Sequence, residues 1–178
     1  GVKVQTEKVW EFADELDLPR LIAINKMDRE RADFFKVANE IKEIFGDKAT
    51  PVHLPIGAAE TFSGLVDLLG GKAYQFQDDG SGKMKEIDIP SDLEDLVASQ
   101  QEQIIERIAE SDDILLEKYL EGEELTDEEL VEGLRNGCVA GDIIPITCGS
   151  ATKNMGTQML LDLIFQCLPS PLDRGDKT

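Results

Sequence analysis

The sequence predicts an α/β fold, a small parallel sheet flanked by helices and interrupted by an inserted α+β unit. Three observations predict it. Two short apolar runs, Leu21-Ile22-Ala23-Ile24 and Ile143-Ile144-Pro145-Ile146-Thr147, each lead through a polar or glycine-containing turn into a helical pattern, as buried parallel strands do. The long segment between them mixes short strand candidates with amphipathic helices. Its charge is also lopsided: residues 86–132 carry 18 acidic side chains against Arg107 and Lys118, which is −16 in 47 residues, while the other 131 residues total −3. A shift on this scale marks two units with different surfaces.

Each element follows from local pattern. Val4, Val9, Phe12, Ala13 and Leu16 give a first helix one apolar face, and Pro19 ends it. The 21–24 strand comes next, then Phe34, Val37, Ile41, Ile44 and Phe45 mark a second helix that Gly46 stops. Strand candidates occupy 51–55, 72–76 and 84–89, with a hairpin-like turn at Asp78-Asp79-Gly80-Ser81-Gly82. Leu93, Leu96, Val97, Ile104, Ile108, Leu115 and Tyr119 recur at helical spacing, so the acidic stretch is helical with solvated carboxylate faces. Ser91 with Glu94 and Thr126 with Glu129 have the capping-box spacing, and Gly122 is a stop signal. These predict helices over about 92–110, 112–121 and 127–136. The 143–147 strand and a last helix bearing Leu160, Leu161, Ile164 and Leu168 close the layer, and Pro169-Ser170-Pro171 ends that helix. The expected division is 1–49 with 141–171 as the α/β layer, 50–140 as the insertion and 172–178 as a polar linker.

Composition sets limits on function. The chain has 178 residues, 18 Lys+Arg, 37 Asp+Glu, one His and three Cys, for a net charge of −19. Its apolar runs are too short to span a membrane, and it shows no secretory pattern. Cys138, Cys148 and Cys167 are odd in number and widely spaced, which argues for a reducing, cytoplasmic setting without a disulfide framework or CxxC metal site. The acidic insertion is unsuited to gripping nucleic acid through phosphate neutralisation.

Asn25-Lys26-Met27-Asp28 fits the NKxD pattern of guanine-nucleotide proteins and sits at the carboxyl end of an apolar strand, where open α/β sheets bind ligands. The second strand ends in Gly149-Ser150-Ala151, which fits the other guanine-contacting loop. The chemistry explains the residue types. Guanine presents N1–H and the 2-amino group on one edge, and the Asp28 carboxylate can accept both. Adenine lacks that donor pair and would leave Asp28 desolvated and unpaired, a mismatch worth roughly 10⁴-fold in discrimination. Lys26 can lay its methylene stem over the base, and Asn25 can tie the neighbouring loops together. Backbone N–H groups near Ser150 and Ala151 can donate to the guanine O6. The bland alternative is a polar turn capping the next helix.

The chain resembles bacterial elongation factor G, the translocation GTPases of the ribosome. The resemblance spans nearly the whole length and rests on GVKVQTEKVW at 1–10, PRLIAINKMDR at 19–29, LPIG at 54–57, FSGLVDLLGGKAY at 62–74, LLEKYLEGEELTDEEL at 115–130 and IPITCGSATKNMG at 144–156. Thr152 stands where the best-known members have Phe, and Met155 where they have Lys. The resemblance implies the C-terminal half of a P-loop-GTPase-type parallel sheet with an inserted α+β subdomain at about 50–140. It also implies guanine-contacting roles for Asn25, Lys26, Asp28, Ser150 and Ala151, and GTP or GDP as the ligand of the full-length protein.

The phosphate half is expected to lie elsewhere. No G-x-x-x-x-G-K-[ST] string occurs; Gly71-Lys72 is followed by Ala73, and Val66 holds the first-Gly position. There is also no D-x-P-G-H string. The chain is therefore expected to begin after the second switch and end at an interdomain linker, with Mg²⁺ ligands outside it. Alone it is expected to hydrolyse no GTP and to bind nucleotide weakly or not at all. The free edge of the 21–24 strand invites self-association.

A competing reading is an interaction module. Glu102, Glu106, Glu110 and Glu117 form a negative helical surface suited to a basic partner, and in the resembling family the insertion contacts the stalk protein of the large ribosomal subunit. The plain alternative is a solvated face, and a third class is a free-standing acidic helical protein. Four further signals read as structural. His53, the lone histidine, is expected to be a strand side chain, and Asp78-Asp79-Gly80 a turn without calcium-loop spacing. Asp112-Asp113 suits a helix start, and Arg174-Gly175-Asp176 is a chance tripeptide in a linker.

Overall fold

The computed structural model describes residues 1–170, 172 and 173; Arg174-Gly175-Asp176 and most of the expected linker lie outside the described residues. In chain order the elements are α1 (Val4–Glu15), β1 (Ile22–Ile24), α2 (Phe34–Phe45), β2 (Ala49–Pro51), β3 (His53–Ile56), β4 (Gly64–Asp67), β5 (Lys72–Phe76), β6 (Met84–Ile87), α3 (Glu94–Ala109), α4 (Asp113–Leu120), α5 (Asp127–Ala140), β7 (Ile144–Cys148) and α6 (Thr157–Cys167).

The strands form two sheets. One is parallel, in the order β1-β7-β2, and the other is antiparallel, in the order β3-β4-β5-β6. The register places Ile22 opposite Ile146 and Ile24 opposite Cys148 on one side of β7. On its other side Ala49 faces Ile144 and Pro51 faces Ile146. All five residues of β7 are buried, as a central parallel strand requires. The expected pairing of the 21–24 and 143–147 runs is present, the second shifted one residue along.

Several local expectations need correction. The 51–55 run is not one strand. It divides at Val52, whose N–H still donates to Ile146 O while its carbonyl accepts from Leu68 N. Residues before it finish the parallel sheet, and residues after it begin the antiparallel one. β4 lies outside the three predicted strand runs, yet it sits between β3 and β5 and pairs with both. It begins at a glycine because a Cβ at Gly64 would lie 2.3 Å from Tyr74 O. β6 stops at Ile87, short of the expected 89. α3 begins after an uncapped turn: its N-cap is Leu93 with no side-chain bond, so Ser91 and Glu94 form no capping box. Thr126 and Glu129 do form one on α5, at 3.3 and 3.0 Å. α5 runs four residues past 136, to a left-handed Gly141, because burial of Leu134 and Cys138 outweighs the weak helix preference of Asn136-Gly137.

One hydrophobic cluster joins the two sheets. It runs from Met27, Phe34 and Ile41 through Leu54, Leu65 and Leu68 to Ile104, Leu134, Ile146 and Leu163. α5 packs on both α3 and α6. His53 bridges the sheets directly, its Nδ1 2.7 Å from Thr147 Oγ1 of β7. The lone histidine is thus a buried strand side chain, as expected. The three cysteines are buried free thiols.

The expected apolar face of α1 is present but uncovered. Val4, Val9, Phe12 and Leu16 are each more than half exposed, and no residue of α1 is buried. The helix is held mainly by Trp10, which stacks on Phe45 with centroids 3.9 Å apart and carries Arg20 on its ring.

Candidate functional site

The site forms where β1 and β7 end side by side. Each strand passes its chain into a loop at the same edge, so residues 25–28 and 149–155 meet although about 120 positions separate them. Gly149 N donates to Ile24 O at 3.0 Å, and Met27 N donates to Gly149 O at 3.1 Å. These two bonds continue the sheet's pairing into the loops.

Lys26 adopts a left-handed backbone, φ 69°, which costs a residue with a Cβ about 1–2 kcal/mol. Its neighbours hold it there. Asn25 Oδ1 accepts the Lys26 N–H at 2.7 Å, and Met27 is buried in the core. Met27 O accepts from Ala59 N at 2.9 Å, so the segment after β3 also pins the turn. The turn leaves the Lys26 side chain exposed and directs Asp28 toward β7.

Asp28 Oδ1 accepts the Ser150 hydroxyl at 2.7 Å. Ser150 is fully buried, while the Asp28 side chain is 11% exposed and has Arg29 Nε 3.8 Å from Oδ2. The Ser150 hydroxyl holds the Asp28 carboxyl below the usual carboxylate range against partial burial, which pushes it up; its own backbone N–H and the charges of Arg29 and Lys153 add to the lowering. The group is therefore an anion at neutral pH with one oxygen tethered. Asn25 Oδ1 also accepts from Ala151 N at 3.0 Å, which ties the two loops as the sequence argument expects of an amide.

One expected detail changes. The Ser150 N–H is not free for a ligand carbonyl, because it donates to Met155 O at 2.9 Å, and Met155 N returns a bond to Ser150 O at 3.0 Å. This bridge closes the 150–155 loop into a tight turn. The Ala151 N–H is engaged by Asn25. Beside these groups opens a cleft of about 220 Å³ lined by Ile24, Asn25, Ser150, Ala151, Thr157 and Leu160.

The structure thus brings together Asn25, Lys26, Asp28, Ser150 and Ala151. It places Glu102, Glu106, Glu110 and Glu117 elsewhere, exposed on α3, the residue that caps it and α4. Glu110 pairs with Arg107 at 3.2 Å. Sequence reasoning missed Arg29 and Lys153 as charges acting on Asp28, and Thr152, whose Oγ1 is 3.3 Å from Ser150 Oγ. Arg29 adjoins the motif in sequence, which is the signal for it; the approach of Lys153 depends on the fold of its loop.

Residues 1–170 match the elongation factor Tu GTP-binding domain. A crystal structure of a protein from Thermus thermophilus has the same fold, with a TM-score of 0.88 and 34% identity over 98% of this chain. This chain spans 26% of that longer chain. The mixed layer, a parallel sheet joined to an antiparallel one, is therefore a GTPase-type fold, and the chain belongs to the elongation factor Tu GTP-binding domain family of translational GTPases.

Proposed function

We propose that this chain is the base-recognising part of a ribosomal translocation GTPase of the elongation factor G type, with an inserted acidic subdomain at about 50–140. The observation that carries the reading is the cross-bracing of two loops, Asp28 to Ser150 and Asn25 to Ala151. It tethers one carboxylate oxygen of a charged Asp28 to Ser150 and leaves the other, 3.8 Å from Arg29 Nε, without a hydrogen bond to the opposite loop. That arrangement fits the N1–H and 2-amino edge of guanine. The residues present fit the base; phosphates and Mg²⁺ are left to residues outside this chain, and no step of hydrolysis is assigned to the residues in hand. The setting is the cytoplasm, where such factors meet the ribosome.

The test is Asp28→Asn in the full-length protein. An amide can donate to the 2-oxo group of xanthine, so preference moves from guanine toward xanthine nucleotide. Unchanged guanine preference removes Asp28 from its role. For this chain alone the expected result is no GTP turnover and weak or no nucleotide binding; turnover, or submicromolar binding, by the purified chain overturns that part.

A second reading concerns the insertion. Glu102, Glu106, Glu110 and Glu117 are all exposed, and a surface of this sign suits a basic partner, here the stalk protein of the large ribosomal subunit. Reversing three of these charges is expected to slow ribosome-stimulated GTP turnover in the full-length protein while intrinsic nucleotide affinity stays the same. An unchanged stimulated rate retires the idea.

A further inference from the structure

The tip of the β5–β6 hairpin touches the 150–155 loop, and nothing in the sequence motifs accounts for the contact. Three observations define it. Lys153 Nζ lies 3.1 Å from Asp78 Oδ1. Asn154 Nδ2 donates to Gly80 O at 3.3 Å. A Cβ at Gly82 would lie 2.7 Å from Asn154 Nδ2, so the hairpin backbone and the loop are in van der Waals contact. Asn154 itself sits at φ 55°, a left-handed conformation that asparagine tolerates better than other residues with a Cβ.

We propose that the hairpin turn at 78–82 is a clamp that positions the base-recognition loop, with Asp78 as its principal positioning residue. The inference rests on the guanine-site reading given above and extends it to a part of the molecule outside both loops. The path is short and contiguous. The hairpin holds Lys153 and Asn154. These lie within the turn closed by the Ser150–Met155 bridge, and Ser150 holds Asp28. Lys153 also has a role of its own, since its N–H donates to Ser150 Oγ at 3.4 Å and its ammonium is stationed by Asp78.

The ion pair is exposed at both ends, 39% and 72%, and pairs of that kind contribute little to global stability. The clamp therefore acts through geometry, and breaking it changes the loop more than the fold. It also couples the antiparallel sheet to the base site: a partner that shifts the hairpin shifts the loop that orients Asp28.

The experiment compares three variants of the full-length protein with wild type. In the first, residues 78–82 are replaced by Asn-Gly, a two-residue turn that can close the strands where Gln77 N bonds Lys83 O. The others are Asp78→Asn and Asp78→Glu. GDP and IDP affinities are measured, because IDP lacks the 2-amino group that Asp28 would accept. A clamp that orients Asp28 predicts that the shortened hairpin lowers the GDP/IDP preference about fivefold. Asp78→Asn lowers it less, and Asp78→Glu keeps it. Loss of a purely structural contact would lower both affinities equally and leave the ratio unchanged. Amide hydrogen exchange supplies a readout without nucleotide: the 151–155 amides exchange about tenfold faster in the shortened variant while those of β5 and β6 do not.

An unchanged ratio in the shortened variant overturns the clamp, and faster exchange beside it reduces the contact to a structural one. If the shortened hairpin misfolds, the two single variants decide, and equal ratios for Asp78→Asn and Asp78→Glu overturn it. Asp28→Asn run in parallel separates the two claims. Guanine preference that survives Asp28→Asn ends the base-site reading; preference that responds to Asp28→Asn but not to the hairpin ends the clamp alone.

Discussion

Ser150 uses its hydroxyl proton on Asp28 at 2.7 Å and is itself fully buried, so replacing it tests how the carboxylate is held. Ser150→Ala removes a charge-assisted hydrogen bond and is expected to destabilise the fold by about 1–3 kcal/mol in denaturant titration at neutral pH. The Asp28 carboxyl, held low mainly by that hydroxyl, should then titrate closer to its ordinary value, which carboxyl NMR can follow. The sign is fixed: a depressed folded-state pKa gives stability that is present above the unfolded-state value near 3.8 and lost as pH falls through the folded one. An Asp28 pKa unmoved by Ser150→Ala would assign the lowering to Arg29 and Lys153 instead. His53 offers an independent case. Burial pushes its imidazole below the ordinary 6.5, with Asp67 opposing, so the folded state keeps it neutral while the unfolded chain takes up a proton. Stability is then level above about pH 6.5 and declines as pH falls below it. His53 is the only histidine, so a slope in unfolding midpoint between about pH 5.5 and 6.5 belongs to it, and His53→Gln should flatten that slope.

Two capping patterns of identical spacing have different fates, and this makes a test at the scale of the element. Thr126 and Glu129 exchange bonds with each other's backbone at the start of α5, and Glu129 is further held by Lys118. Thr126→Ala is expected to cost about 1 kcal/mol. Ser91→Ala should stay within about 0.5 kcal/mol, because α3 begins at Leu93 without a side-chain cap. Equal losses would mean that the cap at Ser91 forms in solution. The contrast shows where the sequence is legible. Helical periodicity, the two apolar strands, the stop at Gly46 and the junction of Asn25–Asp28 with Ser150 follow from local pattern and from strand order, which a parallel layer constrains. β4, the division of the 51–55 run at Val52 and the failure of Ser91 to cap do not. They depend on which distant segment arrives alongside: Tyr74 beside Gly64, β7 beside Pro51. The same reason hides the hairpin's hold on Lys153 and Asn154, since neither the turn nor the loop carries a motif for the other.

At the scale of the molecule, charge and apolar surface oppose each other. Among the described residues β1 pairs only with β7, so its other edge presents unpaired backbone groups with the exposed Ala23 on it. Along that edge a groove of about 650 Å³ runs between α1, β1 and α2, lined by Val9, Ala13, Ile22, Ile24 and Val37. Phe12 of α1 and Phe165 of α6 add exposed rings, the latter 85% exposed. Open strand edges beside apolar surface favour pairing with another copy. The net charge of −19 resists it, more strongly at low ionic strength. The chain alone is therefore expected to associate with rising concentration, and more so as salt rises from about 0.05 to 0.5 M, where the Debye length falls to roughly 4 Å. Sedimentation velocity across that range checks both dependences. Ala23→Lys puts a charge on the edge and should shift the population toward monomer, whereas Phe12→Glu should do so only if α1 shares the contact. Most of the acidity lies in 86–132, so rising salt chiefly screens repulsion between those stretches of two copies. Association that weakens with salt would instead place an ion pair in the contact, and a monomer at about millimolar concentration in high salt would show that the edge and the α1 face are both inert.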